Sequence, residues 1–280
     1  MMQKSPPDLK GVILCADDFA VHESASRGIA QLASMRRISA TSVMVLSPRW
    51  AQDVALLQDL RGRIDVGLHL DWTSDFAIAA GHGLSLNAAM LKALLGGFDV
   101  AAARGVIERQ LDAFEAHWKA PPDYVDGHQH VQQFAGIREA LVAALASRYG
   151  GHSGPKPYLR ISRAPSGTGD LKSGVIAAMG ANALEKIATE QGNYATKALL
   201  GIYDFTGNRS RYALLMDDWL KAAPAGSLIM CHPALAVEPG DVIGSARTQE
   251  FAYLISDDFP IALARVGVKL VRGAIHAGFK

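Results

Sequence analysis

The stretch GVILCADDFA, residues 11–20, combines a strand signal with acidic residues at its end. Residues 12–16 form a short continuous apolar run, which is typical of a strand buried on both faces. Asp17 and Asp18 follow directly, and residues 23–35 then carry apolar side chains at helical spacing. A buried strand followed by a helix is the repeating unit of a parallel α/β fold.

The same alternation of strand and helix continues almost to the end of the chain. Seven further segments have strand character: residues 41–46, 64–70, 124–127, 158–162, 199–205, 227–231 and 268–272. Seven or eight such units in 280 residues predict an α/β fold with a single TIM-like (β/α) barrel, either regular or distorted. We expect a single domain over residues 1–280, with an irregular insertion at about 71–100 that carries one short helix. A doubly wound sheet is the runner-up, but its nucleotide-binding glycine motifs do not occur.

Composition and charge exclude several classes of protein. Hydrophobic residues make up 49% of the chain and charged residues 20%, which is enough apolar material for a sizeable core. A net charge of +1 gives no basic field for gripping nucleic acid. Two cysteines cannot form a disulfide framework, and no apolar stretch approaches the length of a membrane span. We therefore expect a cytoplasmic protein with no membrane span.

Residues with chemical function gather where the predicted strands end. In a β/α barrel the active site lies at the C-terminal ends of the strands. The residues at or just beyond those ends are Asp17 and Asp18, His69, Asp126, His128 and His130, Arg160 and Arg163, Asp204, and His232. Because residues i and i+2 of an extended segment point the same way, His128 and His130 are predicted to face one pocket.

This collection of side chains predicts a catalytic metal site. One carboxylate with two neutral imidazoles suits Zn²⁺, Mn²⁺, Co²⁺ or Fe²⁺. Three protein ligands leave positions open for water and substrate, as catalytic sites require. Cys15 and Cys231 lie inside apolar strands, where buried packing is the expected role.

Four motifs carry a resemblance to a known family. CADDFA, GLHL, DGHQHV and CHPA occur here in the same order as in the YdjC-like (ChbG/HpnK) carbohydrate deacetylases, and the resemblance extends from residue 11 to about 272. It implies a β/α-barrel hydrolase that uses one divalent metal ion, Mg²⁺ or Zn²⁺. Three positions depart from the family's pattern: Ala20 and Ala234 replace glycines, and Gln132 replaces a histidine.

The resemblance also implies roles for individual residues. Asp18, His69 and His128 would be the metal ligands. Asp17 would be the catalytic base, and His232 would lie near the leaving group. The substrate would be an N-acetylated amino sugar, either chitooligosaccharide-like or a lipid-linked glycan, and a homodimer is compatible with the sequence.

Further residues are expected to contact the substrate. Arg163 or Arg160 would hold Asp17 ionised or grip the sugar, with Arg163 preferred. Trp72 and Phe76 follow His69 and are placed to stack on a sugar ring. We also expect His130 and Asp126 at the substrate site, although each has an alternative role in orienting a metal ligand.

Two other functions compete with the hydrolase. A non-haem iron oxygenase also uses two histidines and one carboxylate, but it leaves Asp17 without a task. A non-catalytic sugar-binding barrel would account for the altered positions Ala20, Gln132 and Ala234.

Overall fold

The computed structural model describes residues 9–275, apart from residues 152, 153, 155 and 169. The outermost parts of the predicted domain, residues 1–8 and 276–280, lie outside this range. Each of the eight segments with strand character forms a strand. They are β1 Lys10–Phe19, β2 Ala40–Val43, β3 Asp65–Leu70, β4 Tyr124–Gly127, β5 Tyr158–Leu159, β6 Leu199–Leu200, β7 Leu228–Cys231 and β8 Val268–Leu270.

The strands form a parallel sheet that curls into a distorted barrel, with the order β5-β4-β3-β2-β1-β7-β6 and with β8 paired to β1. Within the described residues, no ladder of backbone hydrogen bonds joins β5 to β6, so the barrel is open between these two strands. Its two edge strands are only two residues long, and each contacts residues beyond the end of the other. Leu159 of β5 forms an isolated bridge with Ala195, and the Leu199 N–H of β6 donates to the Arg163 carbonyl at 2.7 Å. The predicted α/β barrel is therefore confirmed in its distorted form.

The last strand does not take the place it has in a regular eight-stranded barrel. There, β8 would lie between β7 and β1, but here β7 pairs directly with residues 13–16 of β1. Residues 10–12 of β1 pair with β8 instead. Val12 O accepts from Val271 N–H, and Leu14 O accepts from Ser39 N–H at the start of β2. Since alternate residues of a strand bond to the same side, β8 and β2 share one edge of β1.

Eleven α-helices of the described chain surround the sheet. They are α1 Glu23–Ser34, α2 Trp50–Asp53, α3 Asp75–Ala79, α4 Leu86–Leu94, α5 Val100–Trp118, α6 Ile137–Tyr149, α7 Leu171–Ala178, α8 Ala181–Glu190, α9 Arg209–Ala222, α10 Gly244–Leu254 and α11 Asp258–Val266. Two 3-10 helices cover Val54–Leu60 and His128–Gln133. None of the described helices has the length and apolar character that crossing a bilayer requires.

The insertion at about 71–100 contains two helices, α3 and α4, where the sequence predicted one. The additional helix is short, and the Ser74 side chain caps it by accepting from the N–H groups of Phe76 and Ala77. Ala77 and Ala89 are the fully buried residues of these two helices, so the pair rests on the barrel through small side chains. The insertion is thereby fixed beside the C-terminal end of β3.

Candidate metal and active site

Three predicted metal ligands meet at the C-terminal ends of β1, β3 and β4. Asp18 Oδ1 lies 3.4 Å from His69 Nε2 and 3.3 Å from His128 Nδ1. All three ligand atoms lie within 4.8 Å of one another. Ligands held at about 2.0–2.2 Å from one ion lie roughly 3.0–3.6 Å apart, so both measured distances match a shared centre.

The donor set fits a divalent metal ion. The Asp18 Oδ1 atom is buried and has no hydrogen-bond partner among the described residues. The His69 Nδ1–H group donates to Asp126 Oδ1 at 2.6 Å, which leaves Nε2 free to act as a ligand. A carboxylate oxygen without a partner between two imidazole nitrogens is the arrangement that a Lewis-acidic cation satisfies.

Asp18 reaches this position through an unusual turn of the backbone. Asp18 has a φ of 65° and Ala20 a φ of 73°, both in the left-handed region that glycine adopts most easily. The Ala20 N–H donates to Ser26 Oγ at 3.0 Å, and Ser47 Oγ donates to the Ala20 carbonyl at 2.6 Å. These bonds hold the turn with alanine at a position where the resembling family has glycine.

Arg160 links the predicted base to the residue that orients His69. Its Nη1 atom lies 2.7 and 2.8 Å from the Asp17 oxygens and 2.8 Å from Asp126 Oδ2. Burial alone would raise the pKa of Asp17, but the Arg160 guanidinium, followed by His69 and His232, lowers it to about 2. Asp17 is therefore ionised at neutral pH. Cys15, Asp17 and Asp126 also lie close enough to hold an ion, but Arg160 already pairs with both carboxylates.

Arg247 holds the second oxygen of Asp18. Its Nη2 atom donates to Asp18 Oδ2 at 2.7 Å, and its Nε atom donates to Asp241 Oδ2 at 2.8 Å. Asp241 Oδ2 also lies 3.1 Å from His22 Nε2. Burial would raise the pKa of Asp18, but Arg247, followed by His128 and His69, keeps it well below its usual range. Asp18 is thus tied to the loop that follows β7.

His232 lies beside Asp17 at the end of β7. Its Nε2 atom is 3.9 Å from Asp17 Oδ2, and the Phe205 ring meets the imidazole edge-on, with 5.2 Å between the ring centres. Its backbone N–H donates to Glu250 Oε2 at 2.5 Å. Burial lowers the pKa of His232 to about 4, and Arg247 and His69 act in the same direction. The imidazole is therefore neutral at neutral pH.

The residues after β4 do not continue as an extended strand. His128 and His130 line one cavity, as predicted, but the predicted reason, that residues i and i+2 of a strand point the same way, was wrong. The chain here enters a 3-10 helix in which Gln129 and His130 have φ values of 52° and 65°. His130 still lines the cavity, where its Nδ1 atom lies 3.1 Å from Ser162 Oγ. Gln132, at the position of the family's third histidine, is fully buried and donates to the Arg160 carbonyl at 3.1 Å.

Several predicted substrate contacts lie away from the cavity. Trp72 is only 2% exposed, and its ring packs edge-on against Phe98, so the structure does not support stacking on a sugar there. Arg163 does not reach Asp17 either, because its Nη1 atom pairs with Glu185 at 2.7 Å. Asp126 is fully buried behind His69, where a direct substrate contact is not supported.

The sequence did not predict two residues of the site, Arg247 and Glu250. It did predict Arg160, but only as the alternative to Arg163. Arg247 and Glu250 lie on α10 and not at the end of a strand, so the rule that placed the other site residues does not find them. Arg160 was the alternative to Arg163, and the strand signal that placed both residues near the site did not separate them. Phe76, considered beside Trp72, does line the cavity.

A large cavity opens above the candidate metal site. Its volume is about 1080 Å³, and its polar floor includes Asp17, Asp18, His69, His128 and His232. The insertion and α7 supply apolar walls, through Phe76, Leu86, Met90, Leu171, Val175 and Ile176. The site therefore combines a compact group of charged residues with a wider apolar entrance.

Comparisons with known proteins agree with this architecture. A protein of Enterococcus faecalis V583 that is named for cellobiose-phosphate cleavage superposes with a TM-score of 0.69 at 18% identity, over 94% of this chain and 97% of that chain. The Xyl-CE4 domain of a multidomain xylanase from the hindgut metagenome of Trinervitermes trinervoides gives 0.51 at 9% identity, over 94% and 87%. The peptidoglycan N-acetylglucosamine deacetylase Bc1960 gives 0.51 at 12% identity, over 95% and 87%.

These three proteins share the fold of this chain, but their sequences are at most 18% identical to it. No curated protein sequence matches the chain. The model of the YdjC-like protein family, in contrast, matches residues 11–265, which include β2 to β7, all of β1 except its first residue, and all of the residues that form the site. The chain therefore belongs to the YdjC-like protein family.

Proposed function

We propose that this protein is a carbohydrate N-deacetylase that depends on one divalent metal ion, Mg²⁺ or Zn²⁺. The observation that carries the proposal is the meeting of Asp18, His69 and His128 around one point, beside the ionised Asp17, on the floor of a large cavity. Membership of the YdjC-like family supports it. So does the shared fold with a peptidoglycan N-acetylglucosamine deacetylase and a CE4 domain, although those two likenesses are to the fold alone.

Asp17 is the residue suited to take a proton from the attacking water. When bound, the metal ion supplies polarisation of the amide carbonyl and acidifies water. Arg160 keeps Asp17 ionised and aims its carboxylate, since the guanidinium contacts both oxygens. Asp126 fixes the ring of His69, and Arg247 fixes the carboxylate of Asp18.

His232 is the residue suited to protonate the leaving nitrogen. It is neutral at rest, because its pKa is lowered to about 4, and must therefore gain a proton before it can donate one. Asp17 Oδ2, at 3.9 Å, is placed to pass on the proton that it has taken from water. Such distances commonly shorten once the substrate is bound.

Acetate release tests the function directly. The purified protein, loaded with Mg²⁺ or Zn²⁺, is incubated with N-acetylated mono- and oligosaccharides, and acetate is measured with and without a chelator. We expect release that the chelator abolishes and that added metal restores. Release that resists the chelator contradicts the proposal. Oxygen consumption with an oxoacid would indicate the oxygenase, and tight metal and sugar binding without acetate release would indicate the sugar-binding barrel.

A further inference from the structure

We propose that Cys15 and Ser42 are positioning residues for Asp17: they hold its Oδ1 atom, so that Oδ2 is the oxygen that takes the proton from water. This inference rests on the proposed function, because Asp17 acts as a base only if the protein hydrolyses an amide. The two oxygens of this one carboxylate have different hydrogen-bond partners, and the difference assigns their tasks.

The Oδ1 atom of Asp17 accepts three hydrogen bonds from the protein. Arg160 Nη1 donates to it at 2.8 Å, Ser42 Oγ at 3.1 Å and Cys15 Sγ at 3.2 Å. All four residues are no more than 2% exposed, so water has little access to these bonds. An ionised carboxylate offers about four lone-pair sites on its two oxygens. The protein therefore occupies Oδ1 completely.

The Oδ2 atom of Asp17 is less engaged. Among the described residues, only Arg160 Nη1 donates to it, at 2.7 Å. His232 Nε2 lies 3.9 Å from Oδ2, on the side of the cavity. One lone-pair site of Oδ2 thus remains open. This oxygen can accept a proton while every hydrogen bond to Oδ1 stays in place.

Two neighbouring strands bring the donors to Asp17. Cys15 and Asp17 are two residues apart on β1, so their side chains point to the same side of the sheet. Thr41 of β2 pairs with Ala16 of β1, and this register places Ser42 beside Asp17. Sites built on strands hold their geometry more precisely than sites on loops. The position of Oδ1 is therefore fixed by the barrel itself.

The thiol of Cys15 can only donate to Asp17. Burial, followed by the charges of Asp17 and Asp126, raises the pKa of this thiol well above its usual range, so the sulfur keeps its proton. The ionised Asp17 has no hydrogen to give. The Tyr124 hydroxyl lies 2.9 Å from Cys15 Sγ. Since the one hydrogen of the thiol points to Asp17, the Tyr124 hydroxyl donates to the sulfur.

A glycine makes room for this arrangement inside the barrel. A Cβ atom on Gly67 of β3 would lie 2.5 Å from the ring of Tyr124, closer than side chains approach one another. The Tyr124 ring also stacks on Tyr158, with 5.0 Å between the ring centres. The phenol that supports Cys15 is thus held in place, and Cys15 does more than fill space in the core.

Steady-state kinetics of the metal-loaded protein with an N-acetylated sugar test the role in turnover. Without a donor on Oδ1 the carboxylate of Asp17 can turn, so Cys15→Ala and Ser42→Ala should each lower kcat by roughly 10–100-fold, with KM and bound metal unchanged. Cys15→Ser keeps a donor and should be more active than Cys15→Ala. Thr41→Val is the matched control, because it removes a buried hydroxyl of the same strand that donates to the Ala16 carbonyl, at 2.7 Å.

A packing role would lower stability without this selective loss of kcat. Unchanged kcat in Cys15→Ala and Ser42→Ala would overturn the proposal, and so would an equal loss in Thr41→Val. A Cys15→Ser protein no more active than Cys15→Ala would exclude the thiol as a donor. Urea unfolding identifies the variants that are folded.

Infrared absorption of the thiols tests the hydrogen bond independently of activity. The chain has two cysteines, so Cys231→Ala leaves only the S–H stretch of Cys15, and Cys15→Ala leaves only that of Cys231. The Cys231 thiol donates to a backbone carbonyl at 3.4 Å, and a bond to a carboxylate is stronger than a bond to a neutral acceptor. We therefore expect the Cys15 band at the lower frequency. An equal or higher frequency would refute the contact with Asp17.

The two measurements separate this proposal from the deacetylase. An active wild type whose alanine variants keep their kcat refutes the positioning role and leaves the deacetylase standing. A wild type that releases no acetate removes the deacetylase and the role in turnover together, whereas a low-frequency Cys15 band upholds the hydrogen bond to Asp17.

Discussion

The Arg160 guanidinium contacts both oxygens of the Asp17 carboxylate, at 2.7 and 2.8 Å, and both residues are at least 98% buried. A buried ion pair of this kind costs solvation free energy when it forms, and it is strongly destabilising when only one partner is removed. The pair is therefore poorly explained as a contribution to stability. It is well suited to holding the carboxylate of Asp17, the proposed base, ionised inside the protein.

Replacing Arg160 should affect both stability and the pH dependence of activity. Arg160→Met leaves Asp17 and Asp126 buried without their cation, and we expect a loss of about 3–5 kcal/mol in the free energy of unfolding. The pKa of Asp17 should rise, so the acid limb of the pH–rate profile should move to higher pH. Urea unfolding and kcat/KM between pH 4 and 9 measure the two effects, and Arg160→Lys provides a folded variant that keeps the charge.

Arg163→Met is the control for this experiment. Arg163 is an arginine three residues away that pairs with Glu185 outside the cavity, and a partly exposed pair of this kind contributes at most about 1 kcal/mol. Equal effects of the two substitutions would contradict the role given to Arg160.

The two neighbouring aspartates should separate metal binding from turnover. Asp18→Asn removes a charged ligand and should yield protein without metal, whereas Asp17→Asn should keep the metal and lose turnover by about 10²–10⁴-fold. Elemental analysis after dialysis, together with acetate release, measures both. Asp204→Asn serves as control, since Asp204 pairs with Arg211 on the surface. A metal-free Asp17→Asn protein would reverse the assignment.

Removing the imidazole of His232 should matter most when the departing amine needs a proton. We expect His232→Ala to slow deacetylation of N-acetylglucosamine by about 10²–10⁴-fold and to slow an N-acetyl nitroaniline far less, because nitroaniline departs without full protonation. Steady-state kcat values for both substrates provide the comparison. His117→Ala, which alters a histidine packed on Trp50, is the control. Similar losses on both substrates would exclude the acid role.

Glu250 should make stability fall as the pH rises. Burial raises its pKa from 4.5 to about 7, so the folded protein binds a proton that the unfolded chain releases between these values. This contribution to stability is complete below pH 4.5 and is lost as the pH rises through 7. It is on the order of 3 kcal/mol at full extent.

The Gln side chain of the Glu250→Gln variant cannot titrate, so its free energy of unfolding should not fall with pH for this reason. Its amide group lies beside the Tyr203 and His232 donors and can lower stability, but by the same amount at every pH. Urea unfolding of wild type and variant at pH 5 and pH 8 measures the difference. Glu190→Gln, at an exposed position, should keep the wild-type slope. Parallel pH dependences of wild type and Glu250→Gln would show that Glu250 does not titrate in this range.

The sequence predicted the strands and the convergence of Asp18, His69 and His128 for one physical reason. Parallel strands buried on both faces are continuous apolar runs, and the polar residue that ends each run lies on the same rim as the others. The position of Asp18 could be predicted even though its backbone conformation is left-handed, because the packing of the whole barrel determines where each strand ends.

Side-chain direction beyond the strand ends could not be predicted in the same way. β5 ends at Leu159, so Arg160 and Arg163 both lie beyond the strand, and the strand period gives no direction for either side chain; only Arg160 enters the barrel. The left-handed residues after β4 change the direction of His130 for the same reason. Trp72 and Phe76 were equivalent in sequence, and the fold of the insertion buried Trp72 and left Phe76 on the cavity wall.

The position of β8 has a consequence for biosynthesis. β1 leaves the ribosome before the other seven strands, yet its partners are β2 on one side, β7 on the other and β8 beside its first three residues. Nearly all of the chain must be made before this strand is fully paired, and such non-local pairing is slow and exposes strand edges. Nascent chains that stop before residue 228 should therefore aggregate or recruit chaperones, and the release of full-length protein should end that dependence.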